Sequence, residues 1–309
     1  MEYLFSVSGV QTYLWLPPLV SFIISFFTSM GGIAGAFLLL PFQMSFLDFT
    51  SPAVNSTNLV YNIVAIPGGV YRYLRERRIV WPLTLLVVLG NLPGMIIGCF
   101  IRLHWLPYPQ TFKAFVGCVL LYVAMSLFLS LKKTDKNTKH GHSLSVQENF
   151  YDFTVQTTEF NWRRVAYRFQ GQNYICSSSR IFCTVFIVGV VAGVYGVGGS
   201  AFIASALVAI WRLPIYTVAG TALISSFISS VTGIFTYKLL ATMPTYAPMH
   251  IAPDWLLGAS FGVGGMCGMY MGARTQRFVP AKWIKSGLGL LLFYVAALYL
   301  IDFVIYLKT

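Results

Sequence analysis

Long apolar runs separated by short polar segments dominate this sequence. A helix that crosses a bilayer needs about 20 mostly apolar residues, and six runs reach that length without interruption. They predict membrane spans at residues 53–73, 80–101, 111–131, 215–238, 254–274 and 284–307. The pattern therefore predicts an all-α polytopic membrane protein.

Two further apolar runs, residues 13–48 and 181–213, are too long for one span. Each contains a glycine pair near its middle, Gly31-Gly32 in the first and Gly198-Gly199 in the second. A backbone break at membrane depth is tolerated only inside protein or beside a cavity, because lipid cannot bond to free N–H and C=O groups. Each run is therefore predicted to be a hairpin of two short helices. Hairpins that cross fully and hairpins that turn back halfway both fit the pattern.

The two halves of the chain resemble each other, which indicates an internal repeat. The glycine pairs, the starts of the following spans and several later glycines recur in the same order. The matched features are Asn55-Ser56-Thr57 with Gly220-Thr221-Ala222, Gly69 and Tyr73 with Gly233 and Tyr237, and Gly94 and Gly98 with Gly268 and Gly272. We predict a first membrane repeat at 1–131, a polar inter-repeat loop at 132–180 and a second repeat at 181–309.

The basic residues predict how the repeats are oriented. If each broken run returns to its own side, three crossings follow in each repeat, and the two repeats are inverted. All but four of the 21 Lys and Arg residues then lie on one side. By the positive-inside rule this side is cytoplasmic, so we expect both termini outside and the loop 132–180 in the cytoplasm. The four exceptions are Arg102, Lys113, Lys238 and Lys308.

The predicted loop 132–180 is the most polar part of the chain. Its aromatic-rich portion, Phe150 to Phe169, fits either an amphipathic helix lying on the membrane surface or a solvated linker. His140 and His142 lack further metal ligands and are expected to be solvated. At the N-terminus, Glu2 is the first charge and no basic region precedes the apolar run. A cleaved signal peptide is therefore not expected.

Composition supports the membrane assignment and argues against several functions. Hydrophobic residues make up 57% of the chain and charged residues 10%, against about 25% charged residues in soluble domains. The formal net charge of +12 fits cytoplasmic loops better than nucleic-acid binding. We find no catalytic constellation and no phosphate-binding loop, so neither an enzyme nor a cofactor is expected. No metal site is expected from the five cysteines, Cys99, Cys118, Cys176, Cys183 and Cys267.

Paired broken helices in inverted repeats are typical of secondary transporters, which bind substrate where the helices break. A helix that begins at mid-membrane presents free N–H groups and a positive dipole end, and glycine allows close approach to a ligand. Two facing tips are therefore predicted to cradle an anion. Small residues also serve close helix packing, which is the simpler interpretation of Gly94, Gly98, Gly268 and Gly272. The candidate substrate-binding residues are Ser29, Gly31, Gly32, Asn55, Ser56, Thr57, Asn62, Gly198, Gly199, Ser200, Thr221 and Ser225.

The ordered motifs resemble those of the TauE/SafE sulfite exporter family, to which 4-toluene sulfonate uptake permease-like proteins are related. The resemblance covers nearly the whole chain outside 132–180. Four features depart from the family pattern: Ser200 and Ala34 replace common glycines, the second repeat lacks a counterpart of Pro41, and the central loop is unusually long. The motifs are Gly31-Gly32-Ile33-Ala34-Gly35 with Pro41, Asn55-Ser56, Gly69-Val70-Tyr71-Arg72-Tyr73, Trp81, Leu92-Pro93-Gly94 with Gly98, then Gly193 to Gly199, Gly220-Thr221, Gly233 and Gly272-Ala273-Arg274.

This resemblance implies transport of a small sulfur-containing anion such as sulfite, thiosulfate or an organosulfonate. A gradient of protons, sodium or substrate would drive it. The alternatives are a passive anion channel, or a membrane scaffold or sensor that docks partners through the loop 132–180. We expect a multi-pass protein of the plasma (inner) membrane, in contact with lipid and not with nucleic acid, with a homodimer as a possible assembly.

Overall fold

Ten helices and five short strands form the part of the chain that the computed structural model describes. The structure describes residues 2–30, 33–76, 79–139, 156–160, 164–169, 172–246, 249–275 and 281–307. Six long helices occupy the six predicted spans, so the predicted helical membrane fold is confirmed. They are α3 (Ala53–Arg75), α4 (Trp81–His104), α5 (Pro109–Lys139), α8 (Ile215–Ala241), α9 (Trp255–Thr275) and α10 (Ala281–Tyr306).

The two long apolar runs are each divided into two helices, as predicted. The first run forms α1 (Leu16–Met30) and α2 (Ala36–Phe46), and the second forms α6 (Ser178–Tyr195) and α7 (Ser200–Ala209). We call residues 31–35 the first break and residues 196–199 the second break. At 1.5 Å per residue, α2 and α7 are about 15–17 Å long, half of what crossing the hydrocarbon core requires.

Helix α3 differs from its neighbours in polarity. Within the described residues, six helices are long and apolar enough to cross a membrane, and α3 is not one of them. Its N-terminal half carries a group of polar side chains that are all fully buried. They are Asn55, Ser56, Thr57, Asn58 and Asn62. Helix α3 is therefore a central helix whose polar groups face other protein elements instead of lipid.

The directions of the helices can be followed from their contacts. A side chain at Gly264 or Gly268 of α9 would meet the backbone of Pro18 or Phe22 of α1, so these two helices run in the same direction. Gly258 and Gly262 face Val60 and Val64 of α3 in the same order. Helices α1 and α3 therefore begin at the same end of the bundle, and the segment comprising α1 and α2 turns back on itself.

The helices of the second half are arranged in the same way, but they begin at the opposite end of the bundle. Gly90 and Gly94 of α4 face Phe182 and Phe186 of α6, so these helices run in the same direction. Helix α8 also follows α4, with Thr84 bonded to Thr221 and Asn91 bonded to Ser229. It runs antiparallel to α3, because Asn62 contacts Ser230 whereas Gly69 faces Leu223. These directions agree with two oppositely oriented halves, while the side of the membrane on which each begins stays a prediction.

The first helix of each half packs against a helix of the other half. Helix α1 of the first half packs along α9 of the second, and α6 of the second half packs along α4 of the first. A side chain at Gly94 or Gly98 would collide with the backbone of α6, and one at Gly268 or Gly272 with that of α1. The packing interpretation of these four glycines therefore agrees with the contacts, since only glycine lets the backbones approach so closely.

A short hairpin, which the apolar pattern did not predict, precedes α1. Strands β1 (Glu2–Leu4) and β2 (Gln11–Tyr13) pair antiparallel. The turn between them is tied to the second half, because the N–H and Oγ of Ser8 donate to Oδ2 of Asp254 over 3.0 and 2.8 Å. The other oxygen of Asp254 accepts from the N–H of Leu257 at the start of α9, which is a helix-capping contact.

A three-stranded antiparallel sheet lies between the two halves. It contains β3 (Gln156–Phe160), β4 (Arg164–Phe169) and β5 (Gln172–Ser177) in that order. Both expectations for 150–169, a surface helix and a solvated linker, are therefore wrong for the described residues. The sequence signal was a period of two: Val165, Tyr167 and Phe169 are buried, whereas Arg164 and Arg168 are exposed.

This sheet packs against the end of the bundle at which α4, α6 and α8 begin. Its buried residues share one apolar cluster with residues of α4, α6, α7 and α8. The hydroxyl of Tyr167 lies 3.1 Å from Oγ1 of Thr217 in α8. Burial raises the pKa of Tyr167 despite this hydrogen bond, so the phenol is neutral. The sheet residues in the cluster are Val165, Tyr167, Phe169 and Cys176.

Candidate functional site

The two breaks meet inside the bundle. The N–H of Ala34 in the first break donates to Oγ of Ser200, the first residue of α7, over 3.1 Å, and both residues are buried. Gly31 and Gly32, the predicted tip of the first hairpin, lie outside the described residues. The described part of the chain therefore brings one edge of the first break against the start of the helix that follows the second.

Three aromatic rings hold the two short helices together. The ring of Phe37 in α2 stacks on that of Tyr195 with 5.3 Å between centroids, and it meets that of Phe202 in α7 edge-on at 5.4 Å. The Tyr195 hydroxyl donates to the carbonyl of Phe37 over 3.0 Å. Phe37 and Phe202 both lie in the first turn of the short helix that follows a break, so this contact joins the two halves next to the breaks.

The second break depends on left-handed glycines. Gly196, Gly198 and Gly199 have φ values of 79°, 70° and 100°, a region that side-chain-bearing residues rarely adopt. A Cβ at Gly198 would also lie 2.5 Å from Oγ of Ser226 and 2.7 Å from Oγ of Ser230. Gly198 is therefore required both for its backbone conformation and for the close approach of α8.

Four asparagines cap the carbonyl groups around the second break. The last carbonyls of a helix have no partner within it, and here side-chain amides donate to them. Because each amide nitrogen faces a carbonyl, the orientation of each amide group is fixed. The bonds run from Asn55 to Val194 and Tyr195 (3.2 and 2.9 Å), from Asn58 to Gly196 (3.3 Å), from Asn62 to Val197 (3.1 Å) and from Asn91 to Gly198 (3.2 Å).

With these carbonyls capped, the start of α7 offers unused donors. Its first backbone bond is made by the N–H of Ile203, which donates to Gly199 over 2.9 Å. The N–H groups of Ser200, Ala201 and Phe202 have no acceptor among the described residues, and all three residues are buried. The helix dipole adds a partial positive charge of about half an elementary charge at this point. The start of α7 therefore has the chemistry of an anion site.

Two hydroxyl groups of α8 lie beside these donors. Ser225 and Ser229 accept hydrogen bonds from Nδ2 of Asn91 over 3.2 and 2.6 Å. Each keeps its own O–H, which donates to no described residue. Asn91 joins them to the second break, since the same amide nitrogen also caps Gly198. These hydroxyls extend the row of donors that begins at Ser200.

The site also contains acceptors. The amide oxygens of Asn58, Asn62 and Asn91 have no hydrogen-bond partner among the described residues. The Asn91 oxygen lies beside the start of α7, because a Cβ at Gly199 would be 3.3 Å from it. A buried polar atom without a partner is costly, so water, an ion or a ligand that can donate a hydrogen bond is needed there.

The structure brings together about half of the predicted substrate-binding residues. The second break contains Gly198 and Gly199, and α7 begins at Ser200. Ser225 of α8 lies beside these residues. Thr221, bonded to Thr84 over 3.0 Å, is one turn away from Ser225 on α8.

Asn55 and Asn62 also reach the second break, but in another capacity than the expected one. Both were predicted to donate to the anion, whereas their amide nitrogens donate to backbone carbonyls and, for Asn62, also to Ser230. They support the site through the conformation of the break.

The remaining candidates point elsewhere. Ser56 donates to Ile251 over 2.7 Å, and Thr57 accepts from the N–H of Asp254 over 2.9 Å. Ser29 donates to the carbonyl of Phe26 in its own helix, and Gly272 of α9 leaves room for it. These three residues join helix ends and helix faces away from the second break.

Several residues of the site were missed by the sequence analysis. Asn58 lies between Asn55 and Asn62 on one helical face, and this spacing was a usable signal. Asn91 is the single amide of α4, and a buried polar residue in a membrane helix needs a partner. The other missed residues are Ser226, Ser229 and Ser230 of α8.

These observations define a polytopic helical membrane protein with two broken helices that meet around a buried, donor-rich centre. The family model described as Sulfite exporter TauE/SafE matches residues 18–299. The chain therefore belongs to the TauE/SafE family of membrane transporters, as the motifs suggested.

Relatives of known sequence agree with this assignment. The chain is 20% identical to the Probable membrane transporter protein YunE of Bacillus subtilis (strain 168) over 263 residues, which cover 83% of this chain and 86% of the relative. It is 27% identical to the Probable membrane transporter protein YdhB of the same organism over 121 residues, covering 39% of this chain and 45% of the relative. No solved structure matches the chain.

Proposed function

We propose that this protein is a secondary transporter that carries a small sulfur-containing anion, such as sulfite, thiosulfate or an organosulfonate, across a plasma (inner) membrane. The anion binds at the start of α7, between the two breaks. Both termini lie outside, and the sheet β3–β5 lies on the cytoplasmic side. The membership of a family described as a sulfite exporter supports the class of substrate.

One observation carries the proposed site. The N–H groups of Ser200, Ala201 and Phe202, which have no acceptor within the described part of the chain, lie in a buried position where the neighbouring carbonyls are already capped by asparagines. The oxygens of a sulfite or sulfonate group need several donors at once to replace the water that they lose. A helix start with free N–H groups supplies such donors without the side-chain ordering that a charged lysine or arginine requires.

The second break carries no charged residue, which suits a protein that must release its anion again. A charged hydrogen bond contributes about 1.5–3 kcal/mol and a neutral one about 0.5–1.5 kcal/mol. A group of neutral donors therefore binds an anion selectively and still lets it leave. The amide oxygens of Asn58, Asn62 and Asn91, to which no described residue donates, add acceptors, which fit a partly protonated oxyanion or a sulfonate that carries an amino group.

The burial of the site supports a transporter over a passive channel. Ser200 is 2% exposed and Ser225 and Ser229 are fully buried, so the start of α7 is closed from both ends of the bundle. A conducting channel needs a continuous path in at least one state, whereas alternating access includes an occluded state. The sheet that covers the end where α4 and α8 begin closes one of the two routes.

The test is uptake of ³⁵S-thiosulfate and ³⁵S-sulfite into proteoliposomes that contain the purified protein. Saturable uptake that is inhibited by an excess of one sulfur anion, but not by chloride, is the expected result. Unitary currents in planar bilayers would instead support a channel. No flux of any tested anion, with protein whose fold is verified by circular dichroism, would contradict the proposal.

The site is tested by replacing Ser225 and Ser229 together with alanine. Loss of both hydroxyls should raise the KM for the transported anion about tenfold, since each neutral hydrogen bond contributes about 0.5–1.5 kcal/mol. Ser260→Ala is the matched control, because this serine bonds to its own helix in α9. Equal KM values in the double variant and the control would place the substrate elsewhere.

A further inference from the structure

Arg102 is fully buried at the C-terminal end of α4. The basic-residue count placed it in a loop, but the structure places it inside the bundle. Its Nε donates to Oδ1 of Asn55 over 3.2 Å, and its Nη1 contacts the carbonyl of Leu106. The guanidinium carbon lies 3.7 Å from the centre of the Phe112 ring. Three groups thus hold the guanidinium in one orientation.

No described carboxylate neutralises this buried cation. In the part of the chain that the structure describes, the recorded ion pair joins Arg72 to Glu76. The remaining nitrogen of Arg102, Nη2, is buried and has no hydrogen-bond partner among the residues that the structure describes. Burial of a charge without a counter-ion is far more costly than burial of a neutral group. An anion that binds to Nη2 would remove that cost.

A second buried donor lies close to Arg102. The side chain of Tyr237 in α8 is fully buried, and its hydroxyl faces the thiol of Cys99, which is a weak partner. The hydroxyl has no oxygen or nitrogen partner among the described residues. Tyr237 packs in one buried cluster with Cys99 and Leu103 of α4, the residues on either side of Arg102 along that helix. A guanidinium nitrogen and a phenol hydroxyl are both donors, and together they match two oxygens of a small oxyanion.

We propose that Arg102 and Tyr237 form a second anion site, which takes a small oxyanion at the end of the bundle where α3 begins. The proposal rests on the proposed function in one respect: the oxyanion is of the class that the second break carries. An anion at Arg102 would lie between the break and the predicted outer face, as a separate step on its route.

Asn55 links this site to the second break. Its amide oxygen accepts from Arg102, and its amide nitrogen caps the carbonyls of Val194 and Tyr195 where α6 ends. One side chain therefore separates the guanidinium from the break. Binding of an anion to Nη2 leaves the Nε–Asn55 bond in place, so that both sites can be filled together.

The experiment is equilibrium binding of ³⁵S-thiosulfate to the purified full-length protein in detergent. Two sites per chain are expected for the wild type and one for Arg102→Gln, with the weaker site lost. Arg164→Gln is the matched control, since Arg164 is exposed on the sheet. Two sites with unchanged affinities in Arg102→Gln would overturn the proposal.

A second variant keeps the test valid if Arg102→Gln does not fold. Tyr237→Phe retains the ring and removes only the hydroxyl, so thiosulfate binding at the Arg102 site should weaken about threefold to tenfold. Tyr294→Phe, at an exposed position of α10, should bind like the wild type. Unchanged binding by Tyr237→Phe would exclude its hydroxyl from the site and overturn the proposal as stated.

Two further results distinguish the Arg102 site from the proposed function and from a halide site. Wild-type protein that binds two thiosulfate ions but shows no flux in proteoliposomes would contradict the proposed function and support the Arg102 site. Displacement of the weaker-bound thiosulfate from the wild type by a molar excess of chloride, with the tighter-bound thiosulfate retained, would show a halide site at Arg102 and overturn the assignment to an oxyanion.

Discussion

The backbone N–H of Ala34 donates to the hydroxyl oxygen of Ser200 over 3.1 Å, and this bond joins residues 166 positions apart in the chain. It connects the first break to the start of α7. The serine side chain is needed for this bond, since a glycine at position 200 would offer no side-chain acceptor to the N–H of Ala34.

Replacing Ser200 with alanine should therefore destabilise the contact between the breaks. A buried N–H that loses its acceptor costs about 1–3 kcal/mol, and we expect a decrease in the free energy of unfolding in this range. Unfolding of the purified protein in detergent, followed by tryptophan fluorescence, measures the change. Ser179→Ala, at an exposed position in the first turn of α6, should leave the free energy within about 0.5 kcal/mol.

Substitution of Gly198 by alanine should abolish uptake. The added Cβ would lie 2.5 Å from Oγ of Ser226, and the backbone there has a φ of 70°. Strain in this region costs about 1–3 kcal/mol and would displace the start of α7. Gly287→Ala is the control, because a Cβ there meets nothing within 4 Å. Equal uptake by the two variants would separate the second break from transport.

Exchange of Asn91 for aspartate should have a larger effect than exchange of either neighbouring serine. The amide nitrogen of Asn91 bonds to Gly198, Ser225 and Ser229, and a carboxylate cannot donate to any of them. The added negative charge would also repel an anion. We expect binding of ³⁵S-thiosulfate to the start of α7 to be lost. Retained binding at this site would show that Asn91 is remote from the ligand.

How much of this arrangement the sequence predicted depends on the type of signal. Six long helices and two breaks followed from apolar length and from the glycine pairs, because lipid imposes a strict length on each helix. Among the described residues, five of the six predicted spans are long and apolar enough to cross a membrane. Helix α3 is not, whereas α6, predicted as a short helix of a hairpin, is. The capping function of Asn55 and Asn62 did not follow, since an amide can donate to a ligand or to a backbone carbonyl, and only the position of α6 decides between them. The sheet was missed because the aromatic content of 150–169 concealed the alternation in β4.

The predicted sidedness can be tested by cysteine labelling in intact cells. In a background without native cysteines, Val7→Cys in the N-terminal turn should react with a membrane-impermeant maleimide added outside. Asn173→Cys in β5 should react only after the cells are opened. Both positions are exposed. Reaction of both residues from the same side would contradict a first break that turns back.

Cys176 gives a pH-dependent test of the sheet. Burial raises the pKa of its thiol, and the thiolate is the species that reacts with iodoacetamide. Its alkylation at pH 8 should be slow, and the rate should keep rising with pH beyond the point at which an ordinary thiol levels off. Ile175→Cys, with Cys176 replaced by serine, is the control, because Ile175 is 68% exposed on the other face. Equal rates would show that the sheet does not rest on the bundle.

The exchange of helices between the halves has a consequence for how such a protein can be assembled. Helix α1 packs along α9, and α6 packs along α4. Neither half therefore buries its own apolar and glycine-lined faces. A polypeptide containing one half alone would expose those faces and would need a second half, supplied by another copy, to cover them. Each half thus supplies the packing partner of the other half's first helix, and the segment with the sheet joins the two halves along the chain.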